Sequence, residues 1–119
     1  MGEQMKIPTL PHAQLFVLGI LALSGTCSGA DVRKELAELG FSKSLPTFYS
    51  MMAKLVDLGL VHEPEYRKFV EEGHTITRAF YRISAQGETT LDEETAWYSQ
   101  LQARRSSRAK LAGEGGHAQ

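Results

Sequence analysis

Apolar residues run from Leu15 to Leu23 with only Gly19 between them. A run that is apolar all round predicts a helix buried on most faces. Pro11 stands near its first turn, where a missing N–H is harmless, and Gly25 stops it after Ser24. A second helix follows with a different pattern. Val32, Leu36 and Leu39 recur at i, i+4 and i+7 as one buried stripe, and Arg33, Lys34, Glu35 and Glu38 form its wet face. Ser28 is placed to cap it, Asp31 lies in its first turn, and Gly40 ends it. Phe41-Ser42-Lys43 reads as a short turn. Ser44 then caps a third helix with Pro46 inside its first turn. Phe48, Met51, Met52 and Leu55 share one face of it, with Leu58 a turn later. Thr47, Tyr49, Ser50, Ala53, Lys54 and Asp57 remain for the other face, and Gly59 ends the helix.

From Leu60 the period shortens. Residues 61–70 read as a strand interrupted near Pro64, which places it at an edge or a bulge. Glu72-Gly73 reads as a hairpin turn, and residues 76–83, rich in β-branched and aromatic side chains, as the returning strand. Ser84 caps a fourth helix running to about Lys110, with Leu91, Tyr98 and Leu101 on its apolar side and Trp97 adjacent. The order is helix, helix, helix, hairpin, helix. It predicts an α+β, mainly α architecture: a winged helix–turn–helix of three helices and a two-stranded wing over residues 11–83, with an additional C-terminal helix. Residues 1–10 are expected to form a flexible arm, 84–112 a dimerisation helix and 113–119 a disordered tail.

The chain has 119 residues, 42% hydrophobic and 23% charged, which suits one small soluble domain with an appendage. A core this small leaves the fourth helix with an apolar side that a second subunit could cover. One cysteine, Cys27, allows no internal disulfide and suits a reducing compartment. Four scattered histidines give no metal-ligand spacing, so neither a metal nor another cofactor is expected. No grouping of acid, base and nucleophile and no phosphate-binding glycine loop appears, and an enzyme is not expected. Lys6 before the apolar run and small residues after it imitate a secretory leader. Pro8, Pro11 and His12 stand where a basic segment belongs, and the fold needs the helix. The expected location is therefore the cytoplasm and not a membrane.

Three blocks carry a family resemblance. The first is Leu18-Gly19-Ile20-Leu21 with Gly25-Thr26-Cys27-Ser28-Gly29 and Asp31-Val32. The second is Pro46-Thr47-Phe48-Tyr49-Ser50 through Lys54-Leu55 and Gly59-Leu60-Val61. The third is Phe80-Tyr81-Arg82-Ile83-Ser84-Ala85-Gln86-Gly87. In order and at these spacings they resemble the PadR-like family of bacterial transcriptional regulators. The resemblance spans roughly residues 15–90. Ala30 stands where the family often has an aromatic and Ser50 where it often has a proline. The resemblance implies a homodimeric winged-helix repressor that binds double-stranded DNA.

The net charge of −1 gives no help to a DNA-binding reading, but only a local basic face is required. Residues 42–54 contain Lys43 and Lys54 and no acid. The third helix would enter the major groove of a palindromic operator, with Thr47 and Ser50 short enough to reach base edges. Ser42, Lys43, Ser44, Tyr49 and Lys54 would hold phosphates, helped by the helix N-terminus. Arg67, Lys68 and Arg78 would bring the base of the wing to the DNA backbone, since Glu71 and Glu72 repel phosphate at its tip. Leu15, Leu18, Leu91, Trp97, Tyr98 and Leu101 are the expected dimer contacts. Trp97 is also a candidate for stacking on a small aromatic effector. The competing expectation is a winged-helix protein–protein module that never touches DNA.

Overall fold

The computed structural model describes the backbone of residues 9–116 and the side chains of residues 9–107. Most of the expected N-terminal arm, residues 1–8, and the end of the expected tail, residues 117–119, lie outside the described residues. So do the side chains of Arg108 and Lys110. The described elements are α1 (His12–Ser24), β1 (Thr26–Ser28), α2 (Gly29–Glu38), α3 (Leu45–Asp57), β2 (Glu65–Glu71), β3 (His74–Arg82) and α4 (Ala85–Gly116). They fall into two compact units. One spans Leu10–Leu91, and the other holds Thr9 with the chain from Asp92 onward.

The helix ends are where local chemistry put them. Ser28 Oγ accepts a hydrogen bond from Asp31 N at 3.1 Å and starts α2. At its far end Gly40 N donates to Ala37 O and Phe41 N to Leu36 O. This is the Schellman pattern, and Gly40 has the positive φ of 98° that it needs. Helix α3 ends the same way at Gly59 and Leu60, through Val56 O and Leu55 O. Its C″ residue, Leu60, is buried.

Those two caps turn the three helices around one core. Val17, Leu18 and Leu21 of α1, Val32 and Leu36 of α2, and Phe48, Met52 and Leu55 of α3 are all fully covered. Each large apolar side chain so buried contributes about 1.5–3 kcal/mol before entropy is subtracted. Leu39 and Leu58, expected inside, are half exposed because each is the C-cap residue, already turning away from its stripe.

The sheet contains the expected two-stranded wing, β2 and β3, and adds a strand to it. Residues 26–28 form a third strand, and the order is β1-β3-β2, all antiparallel. Thr26 pairs with Arg82 and Ser28 with Phe80. The strand expected from residue 61 instead starts at Glu65. Val61 makes only an isolated bridge to Ile83 before Pro64 interrupts pairing. The hairpin turn is Glu72-Gly73 as expected, both at positive φ (51° and 78°), a two-residue turn whose twist matches the strands.

Helix α4 begins at a cap. Ser84 Oγ accepts from Gly87 N at 2.9 Å and donates to Gly59 O at 2.7 Å. The helical backbone continues to Gly116, past the expected end near Lys110. In the second unit Glu94 is buried and its Oε1 accepts from Thr9 N at 2.9 Å.

Candidate nucleic-acid interface

The exposed side of α3 is built by default, because Phe48, Met52 and Leu55 turn inward. Thr47, Ser50 and Lys54 then lie outward, all exposed, on one stripe of the helix. Asp57 stands one turn beyond Lys54 and two beyond Ser50, and closes this stripe with a negative charge. The acid-free face is therefore limited to the first two to three turns of the helix.

The approach to α3 is held from α2. Arg33 Nε donates to Lys43 O at 3.1 Å, which ties the turn to the preceding helix. Ser42 is exposed and Lys43 half buried there. Sequence reasoning gave Arg33 to the wet face of its helix. Nothing local marks a side chain for a carbonyl in the next turn.

The N-terminus of α3 has fewer free donors than a bare helix end. Ser44 Oγ accepts from Thr47 N at 3.4 Å, and its hydroxyl donates to Thr47 Oγ1 at 3.0 Å. Pro46 has no N–H. Leu45 N–H is then the first-turn amide that remains open to an anion. Ser44 and Thr47 can also turn their hydroxyls outward, since both are exposed.

Tyr49 does not stand on the stripe of Thr47, Ser50 and Lys54. Its ring packs edge-on against Phe48, with centroids 5.0 Å apart, and it faces the sheet. A Cβ placed on Gly29 would come within 2.9 Å of the Tyr49 hydroxyl, so the glycine that opens α2 makes room for it. The tyrosine is 40% exposed. Its hydroxyl therefore sits beside the N-terminus of α2, not along the outer stripe of α3.

The wing separates its three expected contacts. Register pairs Tyr66 with Ala79 and Lys68 with Thr77, so these share the pleat face that turns toward α3 with Tyr81. Arg67 and Arg78 pair with each other on the opposite face. Both are already engaged by carboxylates. Arg67 Nη2 lies 2.6 Å from Glu65 Oε1, and Arg78 Nη2 lies 2.9 Å from Glu71 Oε2. The Arg67 guanidinium also stacks 4.4 Å above the Phe80 ring. Lys68 has no ion pair among the described residues. It is the wing cation whose charge is uncompensated and which shares a side with α3.

The expected dimer contacts also divide. Leu15 and Leu18 are 9% and 0% exposed, so their surface is already used within the chain. Leu91 packs against the core cluster. The outward apolar residues of α1 are Phe16 (42%) and Leu23 (91%). On α4, Leu101 is 44% exposed, and Trp97 and Tyr98 are half buried with rings edge-on at 5.2 Å. Trp97, Gln100, Leu101 and Arg104 line a hollow of about 140 Å³. That is below the roughly 300 Å³ at which small-molecule pockets begin.

No family model and no curated protein matches the sequence. Solved structures do. RosR of H. salinarum superposes with a TM-score of 0.62 at 19% identity, over 92% of this chain and 96% of that one. A PadR-like transcription factor from Bacteroides fragilis gives 0.57 at 18% identity, over 81% and 91%. Bacillus subtilis PadR, in complex with operator DNA, gives 0.54 at 23% identity over 70% of this chain and 47% of that one. The chain thus spans about half of that protein's length. The shared fold is the winged helix of PadR-like transcriptional regulators, and the resemblance read from the three sequence blocks holds at the level of fold.

Proposed function

We propose that this protein is a sequence-specific DNA-binding transcriptional regulator that acts as a homodimer and represses. The observation that carries the reading is the exposed stripe of Thr47, Ser50 and Lys54 on a capped helix whose opposite face is sealed in the core. A helix presented this way fits a major groove, with Ser50 and Thr47 toward base edges and Lys43 and Lys54 toward phosphates. Lys68 adds a backbone contact from the wing. The solved complex of B. subtilis PadR with operator DNA supports the reading, since it shows this fold serving that use.

The exposed apolar residues support dimerisation. Phe16 and Leu23 on α1 and Leu101 on α4, beside the half-buried Trp97 and Tyr98, are costly to leave in water. A homodimer that reads a palindromic operator would hold its two α3 helices about one turn of DNA apart. The domain plan is then a winged helix over residues 11–83 and a dimerisation helix after it. An aromatic effector stacking on Trp97 would need the partner's surface to complete its pocket, given the small hollow in one chain. The site of action is the cytoplasm. Among the described residues no helix is long and apolar enough to cross a membrane.

The wing favours a second reading, a protein–protein module, because its outer face carries neutralised Arg–Glu pairs around Phe69 and Phe80, 5.9 Å apart. Fluorescence anisotropy with duplexes from the gene's own upstream region separates the two. A regulator binds one duplex at least a hundredfold more tightly than a scrambled one. For each lysine changed to alanine, at Lys43 or Lys54, the slope of log K against log salt falls by about 0.9. Weak, equal binding to all duplexes that ignores both lysines would reject the reading.

A further inference from the structure

Helix α3 and the wing leave between them a groove of about 530 Å³, within the range of small-molecule sites. Its α3 wall is Tyr49, Ala53, Val56 and Asp57, so it lies beside the outer stripe and meets it at Asp57. Tyr66, Thr77, Ala79 and Tyr81 form the wing wall, and Glu63 and Pro64 complete the lining. Three phenol rings and two carboxylates face the space, and no lysine or arginine lines it. Asp57 and Glu63 are exposed and have no hydrogen bond or ion pair among the described residues. Tyr81 is only 5% exposed as a whole residue, and it lines the groove. Burial, with the nearby Tyr49 and Tyr66 phenols, pushes its pKa up to about 12, so it stays a neutral donor at any physiological pH.

We propose that this groove is a binding site for an organic cation, an ammonium or amidinium group carried on an apolar or aromatic body. Aromatic rings attract cations, and Tyr66 and Tyr49 line opposite walls of the groove. Asp57 and Glu63 supply the compensating charge at the end of α3 and the start of the wing. Ala53, Val56 and Ala79 give an apolar bed for the ligand's body. The sign of the lining excludes phosphates and carboxylates, including the DNA backbone. The site does not depend on DNA binding and is tested on the protein alone.

The probes are 4-phenylbutyl-trimethylammonium, the neutral 4-phenylbutanol and the anionic 4-phenylbutyrate, titrated calorimetrically and by amide chemical shifts. The expected Kd for the cation is about 1 mM or tighter, from the usual yield per ligand atom. It should bind at least fivefold more tightly than the alcohol, the acid should not bind, and shifts should concentrate at Ala53, Val56 and Ala79. Asp57→Asn and Glu63→Gln should each weaken the cation about two- to fivefold, as exposed charge pairs do. Tyr66→Ala should weaken it further. All three side chains are exposed, so these variants fold, which circular dichroism checks. The proposal is overturned by no binding at 5 mM, on the order of five times that Kd. Equal binding of cation and alcohol overturns it too, as does binding that survives the double charge variant but is lost in Trp97→Ala.

Discussion

Gly87 stands in the first turn of α4, where an alanine should help a helix by about 1 kcal/mol. The structure reverses that sign. A Cβ at this position would lie 2.0 Å from Leu60 O, 3.0 Å from Leu60 C and 2.7 Å from Ile83 Cγ1. None of these can easily yield. Leu60 and Ile83 are both buried, at 5% and 8% exposed. Leu60 is pinned on both sides, its N–H donating to Leu55 O and its carbonyl accepting from Ser84 N, each at 3.0 Å. To admit the methyl, the start of α4 must lift away from Leu60. That strains the Ser84 N–Leu60 O and Ser84 Oγ–Gly59 O hydrogen bonds. Overpacking costs about 1–3 kcal/mol, and two weakened hydrogen bonds add about 1 kcal/mol each. After subtracting the helix gain, Gly87→Ala should destabilise by about 2–4 kcal/mol, a fall in Tm of roughly 10–20 °C. Urea unfolding followed by far-UV circular dichroism measures it, at one protein concentration so that any self-association is held constant. Gly19→Ala is the control. Gly19 lies in α1 with nothing within 4 Å of a Cβ, so the same substitution should stabilise there. A Gly87→Ala protein as stable as its parent would refute the close-approach argument.

Three further outcomes follow from the geometry. Arg67→Ala and Arg78→Ala should lower the salt slope of DNA binding by less than half the about 0.9 expected for Lys68→Ala, because each arginine must first leave a glutamate; anisotropy over a salt series reads this directly. Of the four tyrosines, one should titrate late in ultraviolet absorbance, near pH 12. Because the folded state keeps that proton while the unfolded chain loses it near pH 10, stability should hold below pH 10 and fall as pH rises toward 12; a pH-independent unfolding midpoint over that window contradicts the burial of Tyr81. The Cys27 thiol is pushed up by burial and by the Asp31 and Glu35 carboxylates. Iodoacetamide should therefore modify it several-fold more slowly than free cysteine at pH 8, and mass spectrometry gives the rate.

Much of this protein is legible residue by residue, because the interactions concerned are local. Ser28, Ser44 and Ser84 cap their helices through amides three residues on. Gly40 and Gly59 close theirs with neighbouring carbonyls, and Glu72-Gly73 turns the hairpin on its own φ angles. The stripe of Thr47, Ser50 and Lys54 was equally readable, since a 3.6-residue period leaves it outside once Phe48, Met52 and Leu55 are inside. Partners distant in sequence carry no such signal. Thr26–Ser28 is short, polar and flanked by glycines, and it is a strand only because β3 arrives beside it. Tyr49 belongs to the exposed set by period, yet it turns to the sheet because Gly29 leaves space for its hydroxyl. Arg78 counts as a free cation in a sequence and becomes half of an ion pair with Glu71 once the strands are in register, whereas Arg67 pairs with Glu65 on its own strand. The tyrosine-lined groove has the same origin. Local chemistry sets where elements begin, end and face, whereas a neutralised charge, a third strand or a pocket exists only after packing has brought remote segments together.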